Sequence, residues 1–270
     1  MNILVTNDDG IDSRGIWALA RALSPLGQVN IIAPDKERSG VGSGLSLHND
    51  INIYTRSSNI PGVPAYAISG TPGDCVMIGI GRFLPSGVDL IVSGVNPGPN
   101  IGRDIHYSGT VMATLQGYFR KIPSIAVSLY PRTREEELNF DFAAGIAAGL
   151  ASNIKTGKLR TDAILNVNVP NIPVSQIKGI MVTRITDTGY VKLSGITGDS
   201  AVNYTLDIDK LFNDHIAVGT DIWAIHAGYI SVSLLRFEVD HQEVSPSVNA
   251  CVQEIGNEFL GKTYPSKTSL

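Results

Sequence analysis

Apolar residues in this chain fall into short runs separated by glycine, proline and oxygen-bearing side chains, and their spacing switches between strand and helix patterns. Asn2-Ile-Leu-Val-Thr6 is a strand-like run, stopped by Asn7-Asp8-Asp9-Gly10, which continues a strand poorly. Gly15–Leu26 has helical spacing, with Ile16, Leu19, Ala20 and Leu23 on one side and Pro25 and Gly27 at its end. Val29–Ala33 is a second buried-type strand, halted by Pro34-Asp35. A strand, a helix and a strand within about 33 residues predict a βαβ unit with parallel strands.

Further on, Lys36–Leu47 is polar and rich in Gly and Ser, which predicts a functional loop. Weaker strands are expected at Ile51–Thr55 and Ala65–Ser69, then a helix near Asp74–Gly81 capped by Thr71 or Asp74. Val88–Ser93 reads as a strand, Gly94–Tyr107 as a long loop, and Ser108 as the cap of a helix reaching Phe119. Strand Ser124–Ser128, helix Asn139–Asn153 and strand Ala163–Val169 follow. Beyond them, Gly179–Thr186, Tyr190–Leu193, Tyr204–Leu206, Asp221–His226 and Tyr229–Leu234 read as shorter, more polar strands, and Val248–Phe259 as a final helix. The pattern divides softly into an α/β core over residues 1–178 and a β-rich extension with a C-terminal helix over 179–270.

Composition narrows the function classes. The 270 residues are 43% apolar but only 7% aromatic, so the core is expected to be aliphatic, as buried parallel strands prefer. A net charge of −4 with scattered Lys and Arg argues against nucleic-acid binding, which needs clustered cations. Cys75 and Cys251 form no CxxC and read as two reduced thiols. No run approaches the roughly 18 apolar residues of a membrane span. Met1–Thr6 already reads as a strand rather than a leader, so the default expectation is a cytoplasmic protein with no membrane partner.

The candidate chemistry lies in three loops, Asn7–Asp12, Asp35–Ser46 and Gly94–Ser108, which leave the carboxyl ends of predicted parallel strands. Ligands of open α/β sheets bind there. Asp8 and Asp9 sit side by side, and two bare carboxylates held close repel unless a cation relieves them. An isolated Asp-Asp-Gly more often supplies a helix cap and a solvated acid. Ser39 and Asn96, on the other two loops, change that balance. With water they complete an all-oxygen set suited to Mg²⁺ or Mn²⁺ and less to zinc. The Gly40 amide and Ser108-Gly109-Thr110 at a helix start suit phosphate, although Ser108 is equally a simple N-cap. Asn100 and His106 are possible further contacts, while loop histidines are usually solvated. His48, His215, His226 and His241 show no paired partner and read as structural.

Several segments match one family. Ile3-Leu-Val-Thr-Asn-Asp-Asp-Gly10, Ala33-Pro-Asp-Lys-Glu-Arg-Ser-Gly40 and Ser69-Gly-Thr-Pro-Gly-Asp-Cys-Val76 come first. Ser93-Gly-Val-Asn-Pro-Gly-Pro-Asn-Ile-Gly-Arg-Asp104, running into Tyr107-Ser-Gly-Thr-Val111, is the most specific. Leu165–Pro170, Thr220-Asp221 and Gly228–Val232 match more loosely. With these segments in this order, the chain resembles the SurE family of survival-protein nucleotidases. The resemblance implies a Rossmann-like, mostly parallel sheet with helices on both faces, and a metal-dependent phosphatase acting on nucleoside 5′- and 3′-monophosphates. It implies one divalent cation per subunit on Asp8, Asp9, Ser39 and Asn96, and homodimers or homotetramers with exchanged C-terminal elements. The chain departs from the family pattern at Gln116, where a Glu is usual, at Gly73 in place of alanine, and in Ser231-Val-Ser-Leu-Leu235, which lacks a proline.

The mechanism expected is attack of water oriented by Asp9 or Asp8, in preference to an aspartyl-phosphate route, because adjacent acids do not reproduce an Asp-x-Asp nucleophile spacing. A dinucleotide-dependent oxidoreductase is disfavoured by the missing Gly-x-Gly-x-x-Gly. A non-catalytic nucleotide- or metal-binding module remains the alternative, since binding and catalysis use the same ligands. Tyr66, Tyr107 or Tyr204 could stack on a base, and none is assigned to it.

Overall fold

The structure, a computed structural model, describes residues 1–133, 136–189, 191–197, 202–208, 216–237 and 246–260. Two compact units follow one another, Met1–Arg236 and Phe237–Leu270. In the second, helix α7 covers Pro246–Leu260.

The first unit is built on a nine-stranded sheet. Its strands are β1 (Asn2–Thr6), β2 (Gln28–Pro34), β3 (Ile53–Arg56), β4 (Ala65–Ile68), β5 (Leu90–Asn96), β6 (Ser124–Tyr130), β7 (Ile164–Pro170), β8 (Gly179–Thr183) and β11 (Tyr229–Leu235). They lie in the order β3-β4-β2-β1-β5-β6-β7-β11-β8. From β4 to β7 every pairing is parallel. Counting only those six, the chain winds outward from β1 in both directions, as in a Rossmann sheet, and reverses between β1 and β5. β3 adds antiparallel to β4, β11 antiparallel to β7, and β8 parallel to β11. Strands β9 (Val191–Thr197) and β10 (Val202–Ile208) form a separate antiparallel pair.

Alternation along each strand sends side chains to opposite faces, and helices cover both. Ile3, Val5, Ile31, Val92 and Val127 pack under α1 (Arg14–Leu23) and α5 (Phe140–Lys155). Leu4, Ile32, Ile68 and Ile91 pack on the other side, with Cys75 and Val76 of α2 (Pro72–Ile78) and Ala113 of α3 (Gly109–Ala113). Small residues set how closely the layers approach. A Cβ on Gly15 would stand 2.1 Å from the Val95 carbonyl oxygen, so α1 rests directly on the end of β5.

The predicted α/β class with helices on both faces is the observed one. The change in sequence character near residue 178 falls inside the sheet, because β8 and β11 extend it beyond β7. Asp221–His226, expected as a strand, is helix α6: the Thr220 hydroxyl accepts from the Trp223 N–H and caps it. Six residues are too few for periodicity to separate the two states. The helix expected after Ser108 is divided at Thr114 into α3 and α4 (Leu115–Tyr118). Both thiols are free, Cys75 buried and Cys251 exposed. Among the described residues no helix is long and apolar enough to cross a membrane. His215 and His241 lie outside the described residues.

Candidate active site

The tips of β2, β1 and β5 stand side by side at the point where the sheet reverses, and their three loops close over one another there. The turn after β1 is held rigidly. Gly10 takes a φ of +96°, the left-handed region that favours glycine. The Asn7 side-chain amide donates to the Gly10 carbonyl and to the Ser13 hydroxyl, at 2.9 and 2.8 Å. The Arg38 N–H donates to the Asp8 carbonyl at 2.7 Å, and the Ile11 N–H to the Pro34 carbonyl at 2.8 Å, which fasten the second loop to the first.

Asp8 is buried, and the Thr110 hydroxyl donates to its Oδ1. A Cβ on Gly109 would lie 2.7 Å from Asp8 Cβ, so only glycine lets the start of α3 come this close. Burial raises the Asp8 carboxyl above the ordinary range, and the Thr110 hydrogen bond opposes the rise. Asp9 is pushed up to about 8, first by burial, then by the charge of Asp8 and of Glu37. Its Oδ2 is buried with no hydrogen-bond partner. A buried carboxylate oxygen normally has one.

Asp8, Asp9, Ser39 and Asn96 all line one cavity of about 300 Å³, which supports the sequence-predicted grouping of these four residues. Gly40, Asn100 and Ser108 line it too. The Asn96 amide nitrogen donates to the Gly98 carbonyl at 2.7 Å, a bond that leaves its carbonyl oxygen uncommitted. Ser39 donates to Glu37 Oε1 at 2.8 Å. Ser108 caps α3, its hydroxyl accepting from the Val111 N–H at 3.0 Å. Gly109 and Thr110 stand one layer back, behind Asp8, and are not part of the wall; the Thr110 hydroxyl is engaged with a carboxylate rather than open to a ligand. His106 is exposed and also off the wall. Gln116 pairs with the Arg120 guanidinium at 3.1 Å and does not reach the cavity. A larger cavity of about 560 Å³ between α1 and the start of α5 is lined by Arg14, Trp17 and Arg21, and contains none of these groups.

Three supports escape sequence reading. Glu37 adds a further carboxylate to the wall, from within the run that supplied Ser39. Asn166 and Asn168 of β7 both donate to the Asn100 carbonyl, at 2.8 and 2.9 Å, and Asn168 Oδ1 accepts from the Asn100 N–H at 2.8 Å. The Asn100 amide in turn donates to Ser128 of β6 at 2.7 Å. The Asn-Val-Asn alternation puts both β7 amides on one face, which is the signal that could have found them. Buried Asp221 accepts from the Gly102 N–H at 2.7 Å and from Thr186, anchoring the far end of the long loop.

The donor set can be tested against a cation. The buried Asp8 carboxylate and the half-buried Asp9, whose Oδ2 is buried without a partner, join a hydroxyl and an amide carbonyl around one cavity. Only oxygens are offered, which suits a hard dication. Among the described residues no group of three or more His, Cys, Asp or Glu is placed to hold a metal, so the set depends on Ser39 and Asn96 as well.

A Rossmann-ordered sheet with an acidic, oxygen-lined pocket at its reversal point, and no glycine-rich dinucleotide turn after β1, defines an α/β protein with a cation-suited site at the strand tips. The profile described as survival protein SurE matches residues 3–192. The 5′-nucleotidase SurE of Dehalococcoides mccartyi (strain CBDB1) is 41% identical over 244 residues, 90% of this chain and 92% of that protein. The 5′-nucleotidase SurE of Clostridium botulinum (strain Langeland / NCTC 10281 / Type F) is 36% identical over 239 residues, 88% of this chain and 94% of that one. The crystal structure of the SurE protein from Aquifex aeolicus superposes with a TM-score of 0.79 at 35% identity, covering 93% of this chain and 100% of that one. The chain belongs to the SurE family.

Proposed function

We propose that this protein is a divalent-metal-dependent phosphomonoesterase that hydrolyses nucleoside 5′- and 3′-monophosphates to nucleoside and phosphate. The carrying observation is the unpartnered, buried Oδ2 of Asp9 beside the second buried carboxylate of Asp8. The relatives' names, 5′-nucleotidase SurE, support the substrate class.

Asp8, Asp9, Ser39 and Asn96 would hold one Mg²⁺ or Mn²⁺ per subunit. When bound, such an ion polarises a phosphoryl oxygen and neutralises charge that develops there. The remaining work belongs to the chain. Thr110 fixes the rotamer of Asp8 through its Oδ1. Asp9 orients the attacking water and takes its proton as the P–O bond to water forms and the ester P–O bond breaks, and the departing nucleoside oxygen takes up a proton in its turn. The Gly40 amide and the Ser108 hydroxyl donate to the phosphoryl oxygens, with Asn100 held rigidly beside them by β6 and β7. Glu37 and Asp104, also on the wall, keep the cavity acidic, so an anionic ester enters favourably only with its cation.

The assembly that goes with this reading is a homodimer or homotetramer with exchanged C-terminal elements, in the cytoplasm. A non-catalytic nucleotide- or metal-binding module would use the same ligands. A panel of nucleoside monophosphates and an aryl phosphate, each with Mg²⁺ or Mn²⁺, separates the two. Phosphate release abolished by chelator is expected; ligand binding with no release from any ester would establish the binding module instead.

A further inference from the structure

The strand-tip edge carries a second cavity that the hydrolytic chemistry does not use. It has a volume of about 270 Å³ and is lined by Tyr130, Arg132, Pro170, Ile225 and His226. Tyr130 and Pro170 are the last residues of β6 and β7, while Ile225 and His226 close α6. The cavity therefore opens at the same end of the sheet as the Asp8–Asp9 site. Parallel strands lie about 5 Å apart, so the tips of β1 and β5 are only a few such spacings from those of β6 and β7. That is the reach of one nucleoside.

One residue joins the two cavities. Ile101 lines the acidic cavity, and its side chain packs with Ile225 and Tyr130, which line the second. Ile101, Ile222 and Ile225 make this partition apolar.

The lining has the chemistry of a planar, polar-edged ring. Buried Pro170 and Ile225 give an apolar floor. The Tyr130 and His226 rings lie stacked, 5.9 Å between centroids at 30°, and offer an aromatic face. Stacking on such a face tolerates any base. The rim is polar. Tyr130 Oη and His226 Nε2 are 3.5 Å apart, and Arg132 lines the exposed side. Burial first, and then the charge of Arg132, hold the imidazole below its usual range, so it is neutral near pH 7 with one donor and one acceptor. A guanidinium offers donors only, and matches an edge with two acceptors, such as O6 and N7 of a 6-oxopurine.

We infer that this cavity is the base subsite: with the phosphate at Asp8 and Asp9, the nucleoside passes over Ile101 and its purine ring stacks on Tyr130 and His226 under Arg132. The inference deepens the proposed nucleotidase reading and rests on it.

The test compares guanosine 5′-monophosphate with ribose 5-phosphate, which lacks the base, on the full-length protein with Mn²⁺. Arg132 is exposed, so Arg132→Ala is expected to fold. In that variant the ratio of kcat/KM for the nucleotide to kcat/KM for the sugar phosphate should fall about tenfold, the size of one lost base contact. Calorimetry with guanosine itself, metal-free, should show binding to the wild type that weakens by the same factor in Arg132→Ala. An unchanged ratio with undiminished guanosine binding overturns the inference. So does a variant that loses hydrolysis of inorganic tripolyphosphate while keeping the nucleotide ratio, which would assign Arg132 to a second phosphate. Absence of hydrolysis by the wild type toward every ester would instead count against the nucleotidase reading, and guanosine binding would still report on the subsite.

Discussion

The Thr110 hydroxyl donates a hydrogen bond to Oδ1 of Asp8, joining residues 102 apart in sequence inside a fully enclosed contact. The sequence pattern places Thr110 at a helix start that could meet phosphate. The structure places it behind the carboxylate instead, where its hydroxyl is engaged with Asp8 Oδ1.

Thr110→Val keeps the shape and removes the donor. A buried acceptor left unsatisfied costs about 1–3 kcal/mol, so the variant should be less stable by that order in urea unfolding. Mn²⁺ affinity should fall with it, because the Asp8 rotamer is no longer fixed. Thr110→Ser should restore most of both. Equal behaviour of the valine and serine variants would show that the hydroxyl has no part in holding Asp8.

Gly109→Ala probes the neighbouring contact. Its Cβ would stand 2.7 Å from Asp8 Cβ, so either α3 or the acid must move. A displacement of about 1 Å at a reacting geometry costs on the order of a hundredfold in rate. The expected result is a comparable fall in kcat with unaltered circular dichroism. A variant with wild-type kcat would mean that the α3 boundary does not set the position of Asp8.

The acid pair also predicts how metal-free stability depends on pH. Asp9 is raised from its ordinary value of 3.8 to about 8, so between those values the folded chain binds a proton that the unfolded chain does not. The stabilisation is full below the unfolded value and is lost as pH rises towards about 8. Thermal unfolding in chelator should therefore show Tm falling across that window, and Asp9→Asn should flatten part of the fall. Added Mn²⁺ competes with the proton, so its gain in Tm should be larger at pH 8 than at pH 6. A Tm gain independent of pH, or larger at pH 6, would separate the cation from these carboxylates.

Much of this site is legible in the sequence because it is local. Asp8-Asp9, Ser39-Gly40 and Asn96 each follow a short apolar run, and the reversal of strand order at β1 and β5 carries all three loops to one place. What escapes is set by long-range pairing. Asn168 meets Asn100 across 68 residues, and Asp221 meets Gly102 across 119, with nothing in either segment to declare its partner. Thr110 and Gly109 belong to a helix start that suits a phosphate, and only the depth of Asp8 shows that the place is taken. Asp221–His226 is helical through its Thr220 cap, a contact that a six-residue window leaves ambiguous.

The most direct measurement is Mn²⁺ binding and phosphate release on the same preparations of wild type and Asp9→Asn. The account predicts one ion bound per wild-type chain, release of phosphate from a nucleoside monophosphate only while that ion is present, and loss of both in a variant that remains folded. Undiminished release from Asp9→Asn, or from the wild type in excess chelator, would contradict it.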